Sequence, residues 1–129
     1  ALSDAGCTLD SALQVDALSS EDDGRKAVEK LLASGTPFDA IFAASDLIAI
    51  GAVQALAAAG KRVPEDIAVM GFDNIPAASM TSPPLTTLMQ DLKAGGDLLV
   101  EALLAQIEDR PAPNQTIPAR LVVRKSTAG

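Results

Sequence analysis

The sequence predicts an α/β fold: an open, mostly parallel sheet with flanking helices. Three observations carry this. Short apolar runs alternate with helix-period segments along the whole chain. Two of these runs, residues 40–44 and 67–70, lack the in-out alternation of a half-exposed strand, which suits strands covered on both faces. Each is followed at once by a carboxylate, Asp46 after Ser45 and Asp73 before Asn74. Strand, helix and strand then form one βαβ unit over residues 38–74, and both carboxylates share one sheet edge. Ligands of open α/β sheets lie outside the carboxyl ends of the strands, so this edge is the expected binding place.

Taken in order, residues 1–5 read as the end of a helix closed by Gly6, so the chain is expected to be the later part of a longer protein. Residues 7–15 read as a short strand. Ser20 or Asp22 caps a helix in which Ala27, Val28, Leu31 and Leu32 recur at one-turn spacing, with Glu21, Asp22 and Asp23 in its first turn; Gly35 and Pro37 end it. The central helix, residues 47–59, has one strongly polar side chain, Gln54, and is therefore expected to be covered on more than one side. A loop or short helix over 76–81 leads to Pro83 and Pro84, which force an extended entry into a strand at 85–89. Asp91 caps a helix to Glu108 with Leu92, Leu99, Leu103 and Ile107 on one stripe, and a strand at 119–124 closes the fold.

Composition narrows the chemistry. The chain has 129 residues, enough for one domain that buries roughly two-thirds of its unfolded surface. Aromatics are only 2% and Trp and Tyr are absent, so an aliphatic core is expected. With no His and one Cys there is no histidine triad, and no zinc site or internal disulfide is expected; neither is a cofactor. Ten basic residues against seventeen acidic ones are scattered, which argues against nucleic-acid binding by this segment itself. No apolar run approaches the roughly eighteen residues of a membrane span. Phosphate loops and nucleophile elbows are missing, so catalysis is disfavoured.

Each candidate has an ordinary reading beside the functional one. Of Ser45 and Asp46, one caps the helix and the other faces the cleft. Asp73 and Asn74 either make a turn or bind a ligand; a carboxylate there would accept two sugar hydroxyls at once. Gln90 and Asp91 either approach the same edge or only link strand to helix. An enzyme using Asp46 or Asp73 is the weakest of the readings.

The stretches FDAIFAASDLIAIGAVQALAAAGKRVPEDIAVMGFDNIP, SPPLTTLMQ and LVVRKSTA, with EDDGRKAVEKLLASG before them, resemble the effector-binding core of lactose-repressor and galactose-repressor type transcription regulators. The resemblance covers nearly all of the chain. It implies a periplasmic-binding-protein-like (type I) architecture. Residues 1–129 would be the C-terminal part of a two-lobed effector-binding and dimerisation core, with residues 91–108 a crossover helix belonging to the absent first lobe. The implied function is sensing of a small molecule, a sugar or related metabolite, in a cytoplasmic homodimer that meets operator DNA only through an absent N-terminal helix-turn-helix and has no membrane contact. A substrate-binding protein of a sugar importer is the second reading. The resemblance also assigns effector contacts. Asp73 matches an aspartate that holds effector hydroxyls or ring nitrogens, Ser45 a position often filled by asparagine, Ser19 one where many members stack an aromatic, and Gln90 and Leu92 cleft-lining positions; Phe72 completes the set. Leu47, Ile50, Gln54, Ala78 and Met80 are expected at the dimer surface.

Overall fold

A computed structural model describes residues 4–8, 10–112 and 114–127. Helix α1 spans Glu21–Ser34, strand β1 Ala40–Phe42, helix α2 Asp46–Ala58, strand β2 Ala68–Phe72, strand β3 Thr86–Met89, helix α3 Leu92–Ile107 and strand β4 Arg120–Val122, with short 3-10 turns at Ser11–Leu13 and Pro76–Ser79. The sheet order is β1-β2-β3-β4. β1, β2 and β3 run parallel, pairing Ile41 with Val69 and Gly71 with Thr87, while β4 returns antiparallel and pairs Leu121 with Leu88. This is the open, mostly parallel sheet expected.

The helix boundaries follow from local chemistry. The Ser20 hydroxyl accepts from the Asp23 N–H at 3.1 Å, three acidic residues sit in the first turn of α1, and Gly35 at φ 71° sends its N–H to Leu32 O. α2 crosses α1 at very short range. A β-carbon on Gly51 would stand 1.9 Å from Glu21 O, and one on Gly24 would stand 2.2 Å from Ile48 O, so two glycines let the helix backbones touch. The core forms around this crossing from Val28, Ala49, Ala52, Leu56, Val69 and Leu85.

That packing also explains the apolar circumference of α2. Ile50, expected on a dimer surface, is buried in the chain's own core, and so is Ala78. Both are removed from any outer face; Leu47, Gln54 and Met80 remain exposed, Met80 by 83%. Gln54 donates to Glu21 at 3.3 Å.

One expectation at the start of the chain is corrected. Among the described residues of 7–15 there is no strand: Asp10 accepts from Ala12 N at 2.8 Å and opens the 3-10 turn at Ser11–Leu13, a local bond that competes with extended pairing. Leu9 lies outside the described residues, as do Ala1–Ser3 of the expected helix end; Asp4 to Gly6 form a turn with Gly6 at φ 73°. β1 is also shorter than 40–44 and is an edge strand, with Phe42 65% exposed. Its bonds to β2 use Asp39 O and Ala43 N, so the backbone groups of Ala40 and Phe42 point away from β2, toward a slot of about 530 Å³. Residues 13–17 form the far wall of this slot, which is why they find no ladder partner.

At the other end, α3 buries only Ala105. Leu92, Leu99, Leu103 and Ile107 are exposed, as are Val100 and Leu104. Burial of such a side chain is worth roughly 1.5–3 kcal/mol. Together with the unpaired edge of β1, this predicts that the isolated chain self-associates at micromolar concentration. Light scattering that finds a monodisperse monomer would contradict it.

Candidate functional site

Three parallel strands end side by side, and the residues just beyond them are Ser45 after β1, Asp73 after β2 and Gln90 after β3. Ser45 is spent on the helix: its hydroxyl accepts from Ile48 N at 3.4 Å as the N-cap of α2. The second member of that pair does not face a cleft. Asp46 has no solvent exposure, and its two carboxylate oxygens accept from Ile75 N at 2.8 Å and from the Thr87 hydroxyl at 2.6 Å. Gly71 makes room for it, since a β-carbon there would lie 2.3 Å from the Asp46 Oδ1 atom. Asp46 is thus an internal staple joining α2, the turn after β2 and β3.

Asp73 and Asn74 divide their roles in the opposite sense. Both have positive φ, 105° and 55°. Asn74 turns inward: its amide oxygen accepts from Arg124 at 2.7 Å, its amide nitrogen approaches Met89 Sδ at 3.3 Å, and its backbone N–H reaches Thr87 Oγ1 at 3.3 Å. Asp73 is anchored through its backbone, N–H to Leu88 O at 2.8 Å, and its exposed carboxylate accepts from Gln90 Nε2 at 3.5 Å. An exposed carboxylate beside an exposed primary amide offers acceptors and a donor to neutral hydroxylated molecules.

Of the expected effector contacts, the fold joins Asp73 and Gln90 directly and sets Ser45 and half-buried Phe72 on the same edge. Leu92 and Ser19 are exposed, and no hydrogen bond among the described residues ties either to that pair. The edge is open on one side. A groove of about 750 Å³ begins at Gln90 and Leu92 and runs between α3 and residues 110–112 and 114–117, but Asp73 and Ser45 are not among its lining residues. Among the described residues no group of three or more acidic or cysteine side chains is placed to hold a metal ion.

Residue patterning did not reveal Thr87 or Arg124. Thr86 and Thr87 open β3 and are buried, and Thr87 contacts both Asp46 and Asn74. The one hint is that buried hydroxyls need partners, so a Thr pair inside an apolar strand implies polar groups beside it.

The mostly parallel sheet thus presents a carboxylate and an amide at its strand ends, the edge where ligands of open α/β sheets lie. The sequence profile of the periplasmic binding protein-like domain matches residues 1–127, and the chain belongs to that family. Its relatives there are regulators of the lactose-repressor type. The ribose operon repressor of Halalkalibacterium halodurans is 40% identical over 110 residues, which is 84% of this chain and 33% of that protein. The HTH-type transcriptional repressor PurR of Pasteurella multocida is 35% identical over 98% of this chain and 38% of its own length. Among solved structures, the transcriptional regulator CelR in complex with cellobiose superposes with a TM-score of 0.88 at 35% identity, covering 97% of this chain and 39% of that one. The chain therefore spans little more than a third of the length of these relatives. No helix among the described residues is long and apolar enough to cross a membrane.

Proposed function

We propose that this chain is the effector-sensing part of a transcription regulator, and that it takes a small polyhydroxylated molecule, a sugar or related metabolite, against Asp73 and Gln90. The observation that supports this reading most is the exposed Asp73 carboxylate held at the strand ends with Gln90 beside it. Relatives named as the ribose operon repressor and as CelR with cellobiose favour a regulator over an importer's binding protein. In this reading the regulator is not an enzyme, works in the cytoplasm and meets its operator through a separate DNA-binding headpiece. α3 belongs with a first lobe, whose docking would cover its leucines. Phe72, Ser45, Leu92 and Ser19 line the closed cleft. The regulator is a homodimer whose contact uses exposed Leu47 and Met80 with Gln54 at the rim.

In the regulator that carries this chain, Asp73→Ala is expected to weaken sugar binding at least tenfold while operator affinity without sugar stays unchanged. Hydrogen bonds to a charged acceptor contribute about 1.5–3 kcal/mol, and 1.4 kcal/mol is a factor of ten. Isothermal titration with ribose and cellobiose measures this. Equal affinity of both variants for whichever sugar binds would reduce Asp73 to a turn residue.

A further inference from the structure

The turn that carries Asp73 holds a rare backbone conformation, and one side chain from the far end of the chain braces it. Two adjacent residues other than glycine have positive φ, Asp73 at 105° and Asn74 at 55°. Asparagine takes the left-handed region more readily than most residues, but 105° at Asp73 lies outside that well and persists where the surroundings hold it. Most of the restraints come from elements the turn already borders: Leu88 O, Thr87 Oγ1 and Met89 Sδ on β3, and Asp46 at the start of α2. Arg124 is the exception.

Half-buried Arg124 follows β4. One guanidinium nitrogen donates to Leu85 O at 2.7 Å and another donates to Asn74 Oδ1 at 2.7 Å, so the planar fork spans from the residue before β3 to the turn after β2. Its backbone is fixed as well. Arg124 N–H donates to Thr86 Oγ1 at 2.8 Å, and two residues on, Ser126 wedges between the strands: its hydroxyl accepts from Thr86 N at 2.8 Å and donates to Val69 O, while its carbonyl accepts from Val69 N at 2.8 Å. The guanidinium therefore pushes from an anchored base, and it supplies the charged donor to the Asn74 amide. Turning Asn74 outward would rotate the preceding residue and carry the Asp73 carboxylate away from Gln90.

We infer that Arg124 is the positioning residue of this site, locking Asn74 inward so that Asp73 faces outward toward the ligand. This rests on the reading of Asp73 as a ligand contact, but the state of the turn is measurable without ligand. Arginine suits the role and lysine does not, because a single ammonium lacks the fork that reaches both acceptors.

The experiment compares Arg124→Ala and Arg124→Lys with the unaltered sequence by nuclear magnetic resonance, in the regulator that carries the chain. The three-bond amide couplings of Asp73 and Asn74 and the side-chain amide signal of Gln90 report the turn; exchange protection of Val69 and Thr86 amides reports the anchored strands. Both variants are expected to displace the turn signals and leave Val69 and Thr86 protected. In an Asn74→Gly background, where glycine takes positive φ unaided and the acceptor is gone, Arg124→Lys is expected to change nothing further. Unchanged turn signals in Arg124→Lys overturn the inference, as does loss of strand protection in step with the turn, which means a merely structural role. Titration with ribose and cellobiose completes the test: a displaced turn should weaken binding about tenfold, approaching Asp73→Ala. A displaced turn with sugar affinity retained, where Asp73→Ala loses it, overturns the positioning role. If Asp73→Ala also retains affinity, the reading of Asp73 as a ligand contact fails and the inference falls with it, while the turn signals still show whether Arg124 braces the turn.

Discussion

Asp46→Ala is expected to destabilise the chain by about 3–5 kcal/mol, the larger part of the stability of a marginal domain. The carboxylate is fully buried and occupies both oxygens, one on Ile75 N and one on the Thr87 hydroxyl. Alanine leaves the half-buried Ile75 N–H without its acceptor and the buried Thr87 hydroxyl with only a long contact to Leu88 O at 3.4 Å, at roughly 1–3 kcal/mol each, and opens a cavity besides. Asn at this position restores one acceptor but turns an N–H₂ toward the other donor, so it should recover only part of the loss. Urea denaturation followed by far-ultraviolet circular dichroism checks the order: unaltered, then Asn, then Ala. A loss under about 1 kcal/mol for alanine would mean that the staple is dispensable.

The helix crossing gives the second large effect. Gly51→Ala is expected to destabilise by about 3 kcal/mol, although alanine favours a helix over glycine by about 1 kcal/mol. The new β-carbon would sit 1.9 Å from Glu21 O and 2.9 Å from Arg25 N, both backbone atoms that cannot rotate aside, so α1 and α2 must separate along the whole contact. Gly96 on α3 is the control. A β-carbon there meets nothing within 4 Å, and Gly96→Ala should stabilise by up to about 1 kcal/mol. The same denaturation measurement must give opposite signs for the two; a stabilised Gly51→Ala would contradict the crossing.

Much of this fold was legible because its signals are local. Ser20 and Gly35 bracket α1 as caps in adjoining turns, Ser45 and Gly60 do the same for α2, and the unbroken apolar runs mark parallel strands. The apolar circumference of α2 was also read correctly as cover on several sides. What covers it was not, because the glycine pair that brings α1 into contact acts between segments and leaves Ile50 inside the chain. The strand expected over residues 7–15 failed for a related reason: extended backbone needs a ladder neighbour, and Leu13, Gln14 and Val15 face a slot instead.

The site divides in the same way. That Asp73 and Gln90 meet follows from strand order and edge, which periodicity reveals. Which of Ser45 and Asp46 caps the helix, and which of Asp73 and Asn74 faces out, depends on partners contributed by β3 and by Arg124, the latter fifty residues from Asn74. No local pattern encodes a contact over that separation, and the side chains that decide it, Thr87 in β3 and Arg124 just after β4, look ordinary in their own segments.

Whether the strand-end edge carrying Asp73 holds the effector is open to crystallography of the complete regulator, co-crystallised with whichever of ribose and cellobiose it binds. Ligand hydroxyls are expected within about 3 Å of the Asp73 carboxylate, with Gln90 in reach of the same molecule. A ligand bound instead along the groove beside α3, between it and residues 110–112 and 114–117, with Asp73 turned to solvent, would overturn this assignment.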